Sequence, residues 1–235
     1  LQLGNAYIGE LRRGGVHISD FDSTKGPNNR FQLNFRNHRK IACVDGRWAM
    51  VGGVNIGDEY MGRDPELRPW RDTSVAVRGP AVQCLQLSFV QDWFWARDEI
   101  PPLKWTPDTC SDDIATMVLP TGPADRLDNC LLLYLHLIYT ARRRLWIVSP
   151  YFVPDNAVLS ALQVAAMRGV DVRVLLPDKP DQRLVKLSSY AYIKDALSAG
   201  VRVFRYEKGF LHQKVLLIDD QLAAVGTTNL DNRSF

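Results

Sequence analysis

Four cysteines, Cys43, Cys84, Cys110 and Cys130, are spread over 235 residues with no close pair and no metal-ligand spacing. That excludes a disulfide scaffold and a structural zinc site as organising features, and makes a reduced compartment the default. Cys43 and Cys130 lie in apolar runs and read as small buried hydrophobes. Long hydrophobic runs are missing too. The longest, Cys130 to Tyr139, is broken by His136 and is about half of what a membrane-spanning helix needs. No secretory signal opens the sequence, so contact with a membrane would be made from outside. Charge of one sign is scarce: 29 Lys and Arg stand against 26 Asp and Glu, a net charge of +3. Bulk charge therefore cannot carry polyanion binding, and an anion site must be local. With 46% hydrophobic and 23% charged residues, disorder and low complexity are excluded. The length suits one large domain or two of roughly 100–150 residues. The sequence opens without Met in what reads as a helix end, Ala6 to Arg13, and stops at Asn232-Arg233-Ser234-Phe235. The expectation is a piece of a longer protein.

What is present is an internal repeat. His38-Arg39-Lys40, followed by Asp45, Gly52 and Asn55, recurs 174 positions later as His212-Gln213-Lys214, followed by Asp219, Gly226 and Asn229. Ala49 and Ala223, and Val51 and Val225, match at the same offset. Five fixed residue types at fixed spacing arise by chance on the order of once in a million starts; twice in one chain is not chance. The stretch between the anchors stays apolar in both copies, Ile41-Ala42-Cys43-Val44 against Val215-Leu216-Leu217-Ile218.

The flanks repeat as well. Leu11 to Ile18, with Gly14-Gly15, reads as helix end, turn and strand, as does Leu197 to Phe204 around Gly200. Each half is expected to run helix, strand, loop, His-x-Lys, strand, turn, strand, and then a Gly-x-x-Asn loop entering a helix. The first half carries a longer loop, Asp22 to Asn34. Between the motifs, Ala81 to Arg97 has helical period, with Leu85, Phe89 and Trp93 at i, i+4 spacing. The four prolines of Glu99 to Gly122 mark a connection. Leu127 to Arg143, Asp155 to Arg168 and Leu184 to Leu197 read as helices, Leu145 to Val148 and Val170 to Leu176 as strands. The class is α/β, with mixed sheets covered by helices. Two similar halves about a pseudo-twofold axis would bring both His-x-Lys pairs to one cleft.

Residues two apart in an extended segment face the same way, so His38 with Lys40, and His212 with Lys214, would project together. Two imidazoles can divide a double displacement: one attacks phosphorus while the other protonates the leaving alkoxide and later deprotonates the incoming hydroxyl. Lys40, Lys214, Asn55 and Asn229 would neutralise the non-bridging oxygens. Gly52-Gly53 and Gly226-Thr227 would let the backbone approach the phosphate closely before a helix N-terminus. The set calls for no metal and no cofactor.

The two copies of H-x-K-x4-D-x6-G-x-x-N resemble the phospholipase D superfamily signature. The flanking stretches NFRNHRKIACVDGRWAMVGGVNIGDEYMG, WRDT, SPYFVPD, RGVDVRVLLP and GFLHQKVLLIDDQLAAVGTTNLDNRSF are similar to bacterial cardiolipin synthases along nearly the whole sequence. The resemblance implies two phospholipase D-like halves, 1–110 (motif 32–59) and 111–235 (motif 207–234, truncated at its C-terminus), with one active site between them. It implies phosphatidyl transfer through a phosphohistidine, condensing two phosphatidylglycerol molecules to cardiolipin plus glycerol. It also implies membrane helices ahead of this segment, with the catalytic domain on the cytoplasmic face of a bacterial inner membrane. By the same resemblance the first-copy histidine, His38, is the usual nucleophile and His212 the general acid and then base, the reverse assignment being chemically open, and Asp72 is the carboxylate behind the first His. The matching Glu for His212 would lie beyond Phe235. Asp45 and Asp219 belong to the signature, but each falls at a strand-ending turn, which favours a structural role.

Other residues carry weaker signals. His17 reads as a solvated strand residue and His136 as a helix residue. Trp93-Phe94-Trp95 cannot share one helix face, so at least part of it packs inward, with a lipid interface as the other reading. Arg142-Arg143-Arg144 ends a helix, where cations suit the dipole. Tyr151, Phe152 and Pro154 follow a strand end, where α/β ligand sites lie. Two alternatives remain: a phospholipase D-type phosphodiesterase or nuclease, disfavoured by low charge and the lack of a basic stripe, and a non-catalytic lipid-binding fragment. The expected partners are phosphatidylglycerol and a membrane surface, with no nucleic acid.

Overall fold

The computed structural model describes residues 4–21, 37–112, 114–122, 125–179, 183–232 and 234. The loop expected at Asp22 to Asn34, and part of each motif flank, lie outside the described residues.

Helix α1, Asn5–Arg13, ends at Gly14 with Gly15 in the left-handed region (φ 85°). Each repeat copy folds as a hairpin. In the first, β1 (Ile41–Val44) pairs antiparallel with β2 (Trp48–Gly52), Ile41 opposite Val51 and Val44 opposite Trp48. A two-residue strand β3 (Trp70–Arg71) follows, and then β4 (Ser74–Arg78), which joins β2 to give the order β1-β2-β4. Helix α2, Ala81–Arg97, lies over this sheet, and buried Ala49, Val82 and Leu85 form a small core with Ile41, Cys43, Val51 and Val77 against it. The helix stops where Asp98 adopts φ 56° and its N–H bonds Phe94 O.

The second copy belongs to a larger layer. Helices α3 (Asn129–Thr140), α4 (Asn156–Met167) and α5 (Arg183–Ser198) alternate with β5 (Arg144–Val148), β6 (Phe152–Val153), β7 (Asp171–Pro177) and β8 (Arg202–Tyr206). After β9 (Phe210–Leu211) comes the second hairpin, β10 (Val215–Ile218) and β11 (Leu222–Val225), and then β12 (Leu230–Asp231). The five-stranded order is β11-β10-β5-β7-β8, with β5, β7 and β8 parallel and β10 antiparallel to its neighbours. The alternating burial of β5 and β7 turns Leu145, Ile147, Val172, Val174 and Leu176 toward the helices, where they meet Leu137, Val158, Leu162 and Ala196. Asp155 caps α4 by accepting from Ala157 N at 2.7 Å.

The hairpins repeat in register and in turn. Val215 faces Val225 as Ile41 faces Val51, and Asp45 and Asp219 both sit at positive φ, 54° and 51°. Asp tolerates that left-handed region better than most residues.

Several local expectations change. Among the described residues, 16–18 make no ladder, whereas the matching β8 is held by β7; no described strand of the first half takes the part of β7. Among the described residues no α-helix follows Asn55 directly: a single 3-10 turn, Glu59–Met61, does, and Asn229 leads into β12. The helix expected over Leu127 to Arg143 is the shorter α3. The Asp219 carboxylate accepts the backbone N–H groups of Arg142, Arg143 and Arg144 at 3.2, 2.8 and 3.0 Å, drawing that segment out of the helix and into β5. The arginine run is therefore a bend that leads into β5 at Arg144 and not a helix end. Among the described residues, no helix is long and apolar enough to cross a membrane.

The two motif regions meet through a short parallel ladder. β3 pairs with β9, Trp70 opposite Phe210, and His212 N donates to Arg71 O at 2.8 Å.

Candidate active site

The second His-x-Lys follows β9 directly, so the ladder with β3 carries His212 against Asp72. His212 Nδ1 lies 2.8 Å from Asp72 Oδ2, and the Asp72 side chain is only 3% exposed. Two further links hold these segments in line. Gln213 Nε2 donates to Thr73 Oγ1, and Arg71 Nε donates to Gln213 Oε1 at 3.2 Å. Every neighbour of the His-carboxylate pair is thus tied across the same joint. Gly53 closes the pocket behind Asp72, where a Cβ would overlap both carboxylate oxygens.

This corrects one expectation. Asp72 backs His212, the second histidine, and not His38. The two residues are 140 positions apart, and a choice between two repeated partners at that distance is made by the β3–β9 pairing, which no local pattern reveals.

Three aromatic rings surround His212. Trp70, Phe210 and Tyr60 have ring centroids 5.1, 6.0 and 5.8 Å from the imidazole. Each lies beside a recognised motif segment, yet nothing in the repeat marks any of them. Burial by this shell pushes the His212 pKa below its ordinary value; the Asp72 hydrogen bond pulls it back up, and Lys214 and Lys40 push it down again.

His38 is more open. It is an exposed residue whose pKa is lowered by the protein mass around the ring and then by Lys40 and Lys214; Asp231 acts in the opposite sense and His212 adds a further depression. Lys40 is lowered by burial, with Asp72 opposing. These mutual influences bring His38, Lys40, His212, Lys214, Asp72 and Asp231 into one electrostatic neighbourhood. Asp231 escaped the sequence reading because its repeat partner is Gly57. The lysines do the same thing in each copy: Lys40 Nζ donates to His38 O at 2.6 Å and Lys214 Nζ to His212 O at 2.6 Å. Each ammonium curls over its own histidine's carbonyl, which sets charge and imidazole at one edge.

The remaining expected residues divide by copy. Asn229 is 6% exposed and its Oδ1 is buried without a hydrogen-bond partner among the described residues, whereas Asn55 is exposed and donates to Tyr60 OH. Thr227 is half-buried beside Gly226. Asp45 and Asp219 do not join the cluster. Each occupies the turn at the far end of its hairpin, and β10 puts four strand residues, roughly 13 Å, between Lys214 and Asp219. Asp219 is held below the usual carboxylate range by its hydrogen bonds to the backbone of Arg144 and Arg143. Asp219 is a turn anchor, and Asp45 holds the equivalent left-handed turn position.

Two imidazoles, two cations and a buried carboxylate on one of the imidazoles are a set chemically suited to a phosphodiester. On an α/β frame with a repeated hairpin, they make this chain similar to the phospholipase D superfamily. Its likeness extends to cardiolipin synthases in particular. Residues 134–235 match the family described as cardiolipin synthase, phospholipase D-like domain. The chain is 55% identical over 233 residues to cardiolipin synthase A of Pseudomonas syringae, covering 99% of this chain and 49% of that protein. It is 53% identical over 233 residues to cardiolipin synthase A of Pseudomonas aeruginosa, covering 99% and 48%. Phosphatidylserine synthase of Haemophilus influenzae superposes with a TM-score of 0.55 over 84% of this chain and 55% of that one, at 15% identity, a likeness of fold alone. The chain spans about half the length of the curated relatives it matches.

Proposed function

We propose that this chain carries the transfer centre of a phosphatidyltransferase that makes cardiolipin at a membrane surface. The observation that carries the reading is the meeting of both His-x-Lys pairs around one carboxylate-backed imidazole. The lysines neutralise the phosphodiester oxygens of phosphatidylglycerol. A ring nitrogen of His38 attacks phosphorus, and the bond to the glycerol oxygen breaks as His212 Nε2 gives that oxygen its proton. The hydroxyl of a second phosphatidylglycerol then attacks the phosphohistidine and yields its proton to His212, and the N–P bond breaks. Two lipids become one cardiolipin and one glycerol.

The division of labour follows from charge. His38 has mostly cations about it and stays neutral with its lone pair available, as a nucleophile must. His212 has Asp72 on its other nitrogen, so when the anionic substrate raises both pKa values, this imidazole takes the proton first.

The test is the intact enzyme on phosphatidylglycerol vesicles, with products read by mass spectrometry. Cardiolipin with free glycerol is expected. Phosphatidic acid alone would make water the acceptor and the enzyme a phospholipase. Absence of both would overturn the lipid reading and direct attention to nucleic acid or another phosphodiester.

A further inference from the structure

Asp72 accounts for the placing of one histidine. The other is held by a residue outside the repeat. Asn37 and Arg39 flank His38, and both reach the same carboxylate on α2. Asn37 Nδ2 donates to Asp92 Oδ2 at 2.6 Å, and the Arg39 guanidinium pairs with Asp92 Oδ1. The two flanking residues are also joined to each other, Arg39 N donating to Asn37 Oδ1 at 2.8 Å. The other end of the guanidinium donates to Thr121 O at 2.9 Å, which ties the connecting segment into the same clamp. Residues 37–40 make no ladder bonds of their own. Asp92, by contrast, sits on a helix anchored by buried Val82, Leu85 and Val90.

We infer that Asp92 is a positioning residue for His38: by gripping both of its neighbours from a packed helix, it fixes the backbone that aims the imidazole at phosphorus. The inference rests on the reading of His38 as the nucleophile. An ion pair between half-buried side chains adds little to stability by itself, so its value lies in alignment. The charged groups that bear most on the His38 ring are Lys40, Lys214, Asp231 and His212. Asp92 contacts the two residues that flank His38, so the effect argued for it is one of geometry. A nucleophile misplaced by about 1 Å can cost about 100-fold in rate.

Two readouts test this. On phosphatidylglycerol vesicles, Asp92→Ala in the intact enzyme lowers kcat about 10- to 100-fold with KM unchanged. Asp92→Asn keeps an acceptor for Asn37, loses the ion pair with Arg39, and falls between. In the imidazole nitrogen NMR spectrum, which needs no turnover, Asp92→Asn shifts the His38 resonances and leaves those of His212 in place. Wild-type kcat in Asp92→Ala, or an unmoved His38 signal in Asp92→Asn, overturns the inference. If the wild-type enzyme forms no transfer product, the functional reading fails and the NMR comparison alone decides the role of Asp92. Should Asp92→Ala not fold, Asp92→Asn at unchanged Tm serves both readouts.

Discussion

The two hairpins of this chain share register, turn geometry and motif, yet they bury opposite faces. In the first, Ile41, Cys43, Ala49 and Val51 lie under α2, while Val44 is 50% exposed. In the second, Leu216 and Ile218, which match Ala42 and Val44, are buried against the α3–α5 layer, and Leu217, which matches Cys43, is 38% exposed. Both strands are apolar on both sides, so either face can join a core. The helices supplied by the surrounding chain choose which one does. The same asymmetry reaches the site. Lys214 and Asn229 are buried and His212 is backed by Asp72 in an aromatic shell, whereas His38 and Asn55 are exposed and His38 is steadied from α2. A repeated sequence thus produces two unequal histidines, one enclosed and one open.

The largest expected effect separates them by access. In the intact enzyme, His38→Ala and His212→Ala should each reduce phosphatidyl transfer by about 10⁴-fold or more, since members of a catalytic unit fail together. Imidazole added to the buffer should restore turnover more in His38→Ala, because the His212 side chain is only 13% exposed. Equal rescue of the two, measured by product formation, breaks the comparison. A smaller effect separates the matched glycines. A Cβ on Gly52 would overlap Ser74 Oγ and the Thr73 carbonyl, while one on Gly226 meets nothing within 4 Å. Gly52→Ala should lose about 1–3 kcal/mol of stability and Gly226→Ala almost none, by urea unfolding. Equal losses would mean that the second hairpin is as closely covered as the first.

The smallest effect lies in the pH dependence of stability. Both histidines are lowered in the folded state, whereas in the unfolded chain they titrate near an ordinary value of about 6.5. As pH falls below that value, the unfolded chain binds protons that the folded one does not, so stability declines until the folded pKa values are passed. Above it, the contribution is fully present. Urea titrations from pH 8 down to pH 5 should show this decline, and His38→Gln and His212→Gln should each flatten part of it. An unchanged slope in His212→Gln would mean that its burial does not depress its titration.

Much of the frame was legible from short-range signals. The span of α2 is visible in helical period, and those of α4 and β7 are read to within a residue or two from Asp155, Gly169 and the apolar run between Arg168 and Pro177. The hairpins are announced by apolar runs on either side of Asp45-Gly46 and Asp219-Asp220. The missed features depend on partners distant in sequence. α3 stops early because Asp219, 77 positions beyond Arg142, takes the backbone donors that follow it. Asp231, Tyr60, Trp70 and Phe210 lie within or beside recognised motifs but carry no spacing that marks them as site residues. Asp92 looks like any polar residue on an amphipathic helix.

The sequence by itself determined the candidate reactive groups of this protein: two His-x-Lys pairs at a constant offset, each entering a hairpin whose Asp turn follows from backbone preferences within a few residues. Those are local facts, and they fold the same way in both copies. Only the tertiary structure decided that Asp72 serves His212, that the signature aspartates stay out of the site, and that one lysine is buried while its twin is less so. Each of these outcomes is set by contacts between segments far apart in the chain, such as the 140 positions that separate His212 from its carboxylate, and periodicity carries no information across that distance.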